Sequence, residues 1–360
     1  MPAVEIVDLF AGPGGLDVAA QQLNLPVAGI EWDANACATR RNAGLETFEG
    51  DVRAYGPENF KSANVLAGGP PCQTYTVAGS GAGRRALDDV LRLVERLATG
   101  ANISKDLDGL DDVRTGLVLE PLRWALRAIE LHRPYEAIVL EQVPAVMPVW
   151  EAVGTVLRKY DYSVDTGVLH TEEFGVPQTR RRAILIARLN GTAALPAPTH
   201  QRYRKGQEPT LGNPDLRPWR TMGEALDRSY PFVVISNYGT GGDPKARGLR
   251  YSHQPSATVT GKISRNRVRT PDFDVELPRF SPAEAGMLQT FPASYPWTGG
   301  DVAQQIGNAI PPRLAAHVLA AALDLDLDLA HEVPLLRRTP PQTRRPSAVG
   351  ERNSRDHVHA

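Results

Sequence analysis

Only two cysteines occur in 360 residues, Cys37 and Cys72, and their settings differ. Cys72 belongs to Gly68-Gly69-Pro70-Pro71-Cys72-Gln73, directly after a short apolar run at 63–67 that reads as a strand. Two prolines fix φ and two glycines carry no side chain, so this loop is stiff and leaves the thiol clear of bulky neighbours. A thiol so placed does nucleophilic chemistry as its thiolate. Cys37 lies between alanines in a helical stretch at 35–42, where a packed, inert thiol is the natural reading. Two cysteines in such a length exclude a disulfide framework and a zinc site built mainly from thiolates.

A second chemical constellation lies at the N-terminal end. Asp8-Leu9-Phe10-Ala11-Gly12-Pro13-Gly14-Gly15 ends a predicted strand at 5–10 and opens a predicted helix at 15–23. Backbone N–H groups and a helix N-terminus then face the polar end of a ligand. The dinucleotide fingerprint needs a third glycine at position 17, which is Asp17, so the spacing disfavours a nicotinamide or flavin enzyme. Glu31, at the end of the predicted strand 27–31, has the place of a carboxylate that accepts both hydroxyls of a ribose. Asp51, in Gly50-Asp51-Val52 after the third strand, has the place of an acceptor for an adenine amino group, with Val52 against the ring. Each acid alone is more often a helix cap or turn former. At three successive strand ends, these residues point to adenosine.

The elements that must position these groups alternate in type. Strands at 5–10, 27–31 and 63–67 interleave with helices at 15–23 and 35–42. An amphipathic helix through Leu119, Leu122, Leu126 and Ile129 follows, then a strand at 137–141, a helix near 149–159, and strands near 162–169 and 183–187. That rhythm predicts an α/β fold with a doubly wound parallel sheet. From about residue 189 the texture changes to Pro, Gly and Arg with short β-like pieces at 232–236 and 257–260. Ser281-Pro282-Ala283-Glu284 has the form of a capping box, and a last helix is expected from Pro311-Pro312. The expected organisation is a catalytic and cofactor-binding domain from 1–188 with 302–328, a smaller β or irregular domain at 189–301, and a disordered tail at 329–360.

Charge is divided unevenly. Residues 174–270 hold 17 Lys+Arg against 5 Asp+Glu, a net +12, which leaves −13 for the rest of a chain whose total is −1. One basic half suggests a polyanionic partner for that half, since phosphate neutralisation supplies most non-specific nucleic-acid affinity. An ordinary solvated basic face has the same composition. No charged-then-apolar leader is present and no apolar stretch approaches the roughly 18–20 residues of a membrane span. A soluble, cytoplasmic protein is therefore expected, and it is taken to act as a monomer.

Five stretches, in this order, are Asp8 to Gly15, Gly68 to Gln73, Glu141-Gln142-Val143, Gly175 to Arg182, and Gln305 to Pro312. Together they resemble the ordered motif set of the bacterial-type DNA cytosine-5 methyltransferases, from residue 4 to about residue 320. The resemblance implies an S-adenosylmethionine-dependent, Rossmann-like large domain and a small target-recognition domain. It implies that Cys72 attacks C6 of a cytosine flipped out of duplex DNA, that Glu141 holds N3 and the exocyclic amine, and that Arg180 and Arg182 line the active site. Arg182 would touch the cytosine carbonyl and Glu141, while Arg181 points to solvent. The methyl donor would lie against Phe10, Ala11, Gly12, Gly14, Gly15, Glu31, Trp32, Asp51, Val52, Pro71, Leu117, Asn308 and Ala309, without any metal. A cognate restriction endonuclease and a nucleoid-associated location in a prokaryotic cell follow from the same resemblance.

Two departures stand out. The family's usual Glu-Asn-Val is Glu141-Gln142-Val143 here, which moves the loop-positioning amide out by one methylene and puts activity or loop geometry in doubt. The interval between Cys72 and Asp112 is long and carries Leu87, Val90, Leu91, Val94 and Leu97 at helical spacing. This is read as an inserted amphipathic helix, either a DNA- or partner-contacting element or extra packing over the large domain. Tyr238 to Gly242 is either a recognition loop or a flexible turn. A tRNA cytosine-5 methyltransferase and a catalytically silent DNA-binding paralogue are the competing readings.

Overall fold

The computed structural model describes residues 4–71, 81–109, 112–236 and 248–327. Cys72, the 238–242 segment and the expected tail lie outside these residues. Seven strands form the main sheet: β1 (Ile6–Leu9), β2 (Val27–Glu31), β3 (Glu46–Glu49), β4 (Val65–Gly68), β5 (Ala137–Gln142), β6 (Ser163–His170) and β7 (Arg181–Arg188). Their order is β3-β2-β1-β4-β5-β7-β6. β1 and β4 are wholly buried, and β5 is a nearly continuous apolar run, as expected of central strands covered on both faces. The chain runs outward from β1 to β3 and then returns to β4 on the other side of β1. The switch point of the sheet is therefore the crevice at the carboxyl ends of β1 and β4.

The sheet is not fully parallel, as the sequence pattern suggested: β7 is antiparallel to both β5 and β6. The reason is the connection. Residues 171–180 between β6 and β7 contain only a short helical turn, Thr171–Phe174, and a parallel return needs a crossover of a dozen residues or more.

Helices cover both faces: α1 (Gly15–Gln22), α2 (Ala34–Asn42), α3 (Gly81–Ala98), α4 (Ser104–Asp108), α5 (Glu120–Glu130) and α6 (Met147–Arg158). Trp124 of α5 and Trp150 of α6 are fully buried on one face of the sheet. The helix read as an insertion, α3, sends Val90, Leu93 and Val94 into this same core, and so its apolar stripe is packing. On the opposite face α1 packs against the last helix, which starts at the second of two prolines.

A smaller lobe follows β7. It contains α7 (Met222–Ala225) and a four-stranded antiparallel sheet of β8 (Val233–Ile235), β9 (Leu249–Tyr251), β10 (Arg267–Arg269) and β11 (Glu276–Leu277), ordered β11-β10-β8-β9. The predicted strand at 257–260 is not in that sheet. Its backbone instead joins the chain before β7, with Thr179 N–H donating to Ser256 O at 2.8 Å. The capping box appears at α8 (Pro282–Leu288), where Ser281 and Glu284 exchange hydrogen bonds. α9 (Val302–Asn308) and α10 (Pro312–Leu323) divide their allegiance: Ile306 is buried in the small lobe's core and Leu314 in the large one. Among the described residues no helix is long and apolar enough to cross a membrane.

Candidate active site

The glycine-rich turn leaves β1 through Phe10, whose φ of 61° is left-handed. A bulky residue there costs on the order of 1–3 kcal/mol and persists only where the surroundings impose it. They do: Ala11 N–H is held by Ile30 O at 3.0 Å, and Gly12 N–H by the Glu31 carboxylate at 2.8 Å. Glu31 also accepts from Trp32 N–H at 2.8 Å and Asp33 N–H at 2.7 Å. The acid expected at a ribose thus also fastens the ends of β1 and β2 together. Three amides leave part of its four-site acceptor capacity free. Beside it, the Trp32 indole is 71% exposed.

Gly12 and Gly14 differ in what they face. A Cβ at Gly12 would meet nothing within 4 Å, so that glycine borders open space. One at Gly14 would stand 2.2 Å from Leu45 Cδ1, and one at Gly15 would stand 2.2 Å from the Ile310 carbonyl oxygen. The second half of the turn is therefore clamped by Leu45, just before β3, and by Ile310 near the far end of the chain. Tyr295 completes the clamp by donating its hydroxyl to Pro13 O, and Ala309 is buried with Val18 of α1. This packing brings Ala309 and Ile310 to the turn. Asn308 is exposed and accepts from Gln304 at 2.6 Å.

Asp17, which breaks the dinucleotide fingerprint, has a different role. It forms a bidentate ion pair with Arg40 at 2.7 Å on both arms, with neither side chain exposed. Gly29 makes the room, since a Cβ there would lie 2.0 Å from Arg40 Nη2. Sequence reading missed this pair; an acid at 17 with an arginine in the next helix was the available signal. Asp51 caps the turn Val52–Ala54 and is gripped by the Arg53 guanidinium at 2.5–3.0 Å, whose hydrogen bonds hold its carboxyl below the usual range. Val52 is buried; Pro71 and Leu117 are half-buried.

At the carboxyl end of β5, Glu141 and Arg182 form a close ion pair, each about seven-eighths buried. Burial pushes the Glu141 carboxyl up against the opposing pull of Arg182. A Cβ on Gly69 would lie 3.5 Å from Glu141 Oε2, so the carboxyl borders the loop that leads to Cys72. The substituted Gln142 is buried beneath that loop. Its amide N–H₂ donates to Pro70 O and its oxygen accepts from Val143 N–H at 2.5 Å, so the longer side chain still fastens the proline segment. Cys37 is fully buried, donates to Glu31 O at 3.3 Å, and has its thiol pushed up to about 11 by burial, which excludes it as a nucleophile near neutrality.

Arg180 does not join the Glu141–Arg182 pair. It is buried and donates to Val259 O at 2.9 Å and Gly307 O at 2.8 Å, tying the start of β7 to the small lobe and to α9. Gln178 works in the same sense, accepting from Val259 N–H at 2.7 Å and donating to Gln289 at 2.8 Å. Arg181 is exposed, as expected.

The family model described as C-5 cytosine-specific DNA methylase matches residues 4–96 and 106–323. The match runs through most of α3 and breaks only at 97–105, so any extra length is shorter than the interval 86–109 read from the sequence. Among curated proteins, the chain is 27% identical over 274 residues to Type II methyltransferase M.AquIA of Picosynechococcus sp., covering 69% of this chain and 94% of that one. It is 25% identical over 357 residues to Type II methyltransferase M1.HphI of Haemophilus parahaemolyticus, covering 89% and 87%. Among solved structures, the S. pombe Dnmt2 methyltransferase superposes with a TM-score of 0.61 at 18% identity, over 89% of this chain and 98% of that one. Entamoeba histolytica methyltransferase EhMeth gives 0.60 at 16%, over 90% and 99%. Identities this low speak to the fold. A family match over most of the sequence, with the proline loop and the Glu141–Arg182 pair assembled at one sheet end, places the chain in the C-5 cytosine-specific DNA methylase family as a cytosine-5 methyltransferase.

Proposed function

We propose that the chain methylates C5 of a cytosine flipped out of a specific duplex DNA sequence, through a transient covalent bond between Cys72 and C6. The observation that carries the reading is the buried Glu141–Arg182 pair bordering Gly69, three residues before Cys72. Ring chemistry cannot occur inside the base stack, so the base is extruded into the site. The Cys72 thiolate adds to C6, and the C5–C6 π electrons become an enamine as Glu141 gives a proton to N3. A carboxyl whose burial favours the neutral form suits that donation. Arg182 orients Glu141 and binds the cytosine carbonyl oxygen. After alkylation, C5 loses its proton to water, the C5=C6 bond re-forms as the Cys72–C6 bond breaks and the thiolate leaves, and N3 returns its proton to Glu141.

The carboxyl-end crevice suits S-adenosylmethionine, which supplies an electrophilic methyl group when bound. Open space at Gly12, the spare acceptor capacity of Glu31 and the exposed Trp32 face support the fit. Phe10, Ala11, Asp51, Val52, Pro71, Leu117, Asn308 and Ala309 complete the proposed pocket around the buried Gly14 and Gly15. Arg180 acts here as a positioning residue between the two lobes.

Duplex DNA as substrate is supported by the basic 174–270 segment and by the family description; the relatives' Type II names support pairing with a restriction endonuclease in a prokaryotic cytoplasm. Incubation with methyl-labelled S-adenosylmethionine and either duplex DNA or tRNA tests the proposal. Label is expected as 5-methylcytosine in DNA. Label in tRNA alone refutes the DNA reading, and label in neither refutes the enzymatic one. A duplex carrying 5-fluorocytosine should trap the enzyme covalently through Cys72, because fluorine cannot leave as a proton does.

A further inference from the structure

A second cleft, of about 430 Å³, opens where the carboxyl end of β6, the start of β7 and the small lobe meet. Five cations reach its walls: Arg180, Arg181, Arg202, Lys205 and Arg250. Among the described residues, no acid forms an ion pair with Arg181, Arg202 or Lys205. Among the described residues, four buried polar atoms of the walls have no hydrogen-bond partner: Nε of Arg180, Nε of Arg250, the Tyr203 hydroxyl and Oε2 of Glu172. Arg180 and Glu172 are only 2% and 3% exposed, so solvent does not serve them. Buried donors left open in such number are costly unless a ligand with several acceptor oxygens satisfies them.

The cleft is built to hold its donors still. The Arg250 guanidinium lies 5.1 Å from the centroid of the Tyr203 ring, and Tyr203 packs edge-on against the buried Trp219 at 5.3 Å. Among the described residues Glu172 is the one acid in the walls, and burial raises it to about 7, so near neutrality much of it is an uncharged donor. Its neighbour His170, lowered to about 4, adds no charge. A cationic cleft with planar guanidinium forks and one neutral acid fits a phosphodiester.

Location selects the source of that phosphate. Arg181 pairs with His170 across β6 and β7 at the cleft, while the next residue, Arg182, reaches Glu141. We propose that the cleft grips a backbone phosphate of duplex DNA close to the target cytosine, an inference that rests on the DNA reading above. Its donors hold the strand in register while the base is out of the stack.

The test uses the full chain and two variants, Arg202→Ala/Lys205→Ala and Arg250→Gln. Binding to a 30-base-pair duplex pool with S-adenosylhomocysteine present is measured from about 50 to 300 mM KCl, alongside steady-state methylation. Losing one or two phosphate contacts should lower the slope of log K against log salt by about one to two. Affinity at low salt should fall about tenfold, and the kinetic loss should fall more on KM for DNA than on kcat. A variant slope and affinity equal to wild type overturn the proposal. So does tight binding of inorganic phosphate that leaves duplex affinity unchanged, which would mark a site for a free anion. Wild-type binding to tRNA in place of duplex would instead refute the substrate reading, and the same variants titrated with tRNA still report whether the cleft holds a backbone phosphate.

Discussion

Gln142 offers the sharpest test of how the loop before Cys72 is held. Its amide makes two hydrogen bonds, one to Pro70 O across 72 residues and one to the adjacent Val143 N–H. Replacement by Ala orphans both backbone groups in a setting only 9% exposed, at about 1–3 kcal/mol each. The Val143 bond is local, so its loss falls on stability. The Pro70 bond is the one that crosses from β5 to the catalytic loop, so its loss falls on placement of the thiol. At 1.36 kcal/mol per factor of ten, that share lowers the methyl-transfer rate by roughly 5- to 150-fold. Gln142→Glu keeps the shape but has no donor when ionised and sets oxygen against oxygen, so it should lose at least as much. Gln142→Asn, one methylene shorter, should lose less than Ala. Single-turnover methylation with enzyme in excess reads the rate, and calorimetric binding of S-adenosylhomocysteine checks that the donor pocket is intact. Rates for Gln142→Ala and Gln142→Glu within twofold of wild type would refute the reasoning.

Breaking the buried Asp17–Arg40 pair with Asp17→Asn should destabilise the fold by about 3–5 kcal/mol because the arginine is left uncompensated, whereas Asp17→Leu/Arg40→Met should recover much of it; urea unfolding of both decides. Gly14→Ala should weaken S-adenosylhomocysteine binding and lower the melting temperature, since the new methyl group meets Leu45 at a φ of +103°; unaltered binding and melting would exclude the clamp. Glu172 makes duplex binding pH-dependent: a buried acid raised to about 7 is neutral below that pH and repels phosphate above it. Arg202 and Arg250 oppose that rise and Glu173 reinforces it, while Arg180, Arg181 and Lys205 face the same cleft. The Glu172 contribution to folding stability is full below the unfolded value near 4.5 and is lost as pH climbs to about 7, because the folded state then holds the extra proton. Duplex affinity should likewise fall through pH 7 in wild type and stay flat in Glu172→Gln; parallel curves would dismiss the effect.

Much of the large lobe was legible from residue order, because buried parallel strands are short apolar runs and turn chemistry is local. β2 was read to the residue, and the capping box at Ser281 and the proline start of α10 appeared where their local signals lie. Cys37 as a packed thiol and Arg181 as a solvated charge were also readable, since neighbours within one turn decide both. The direction of β7 was not, because nothing within a strand encodes its neighbour; the short connection before it decides the pairing. Nor was the work of Asp17, whose partner Arg40 meets it only when α1 and α2 close over β2, or of Tyr295, which reaches Pro13 from the far end of the chain. The second cleft shows the limit most clearly: its cations come from β7, from residues 202–205 and from β9, and only folding brings those charges to one place and leaves their donors open.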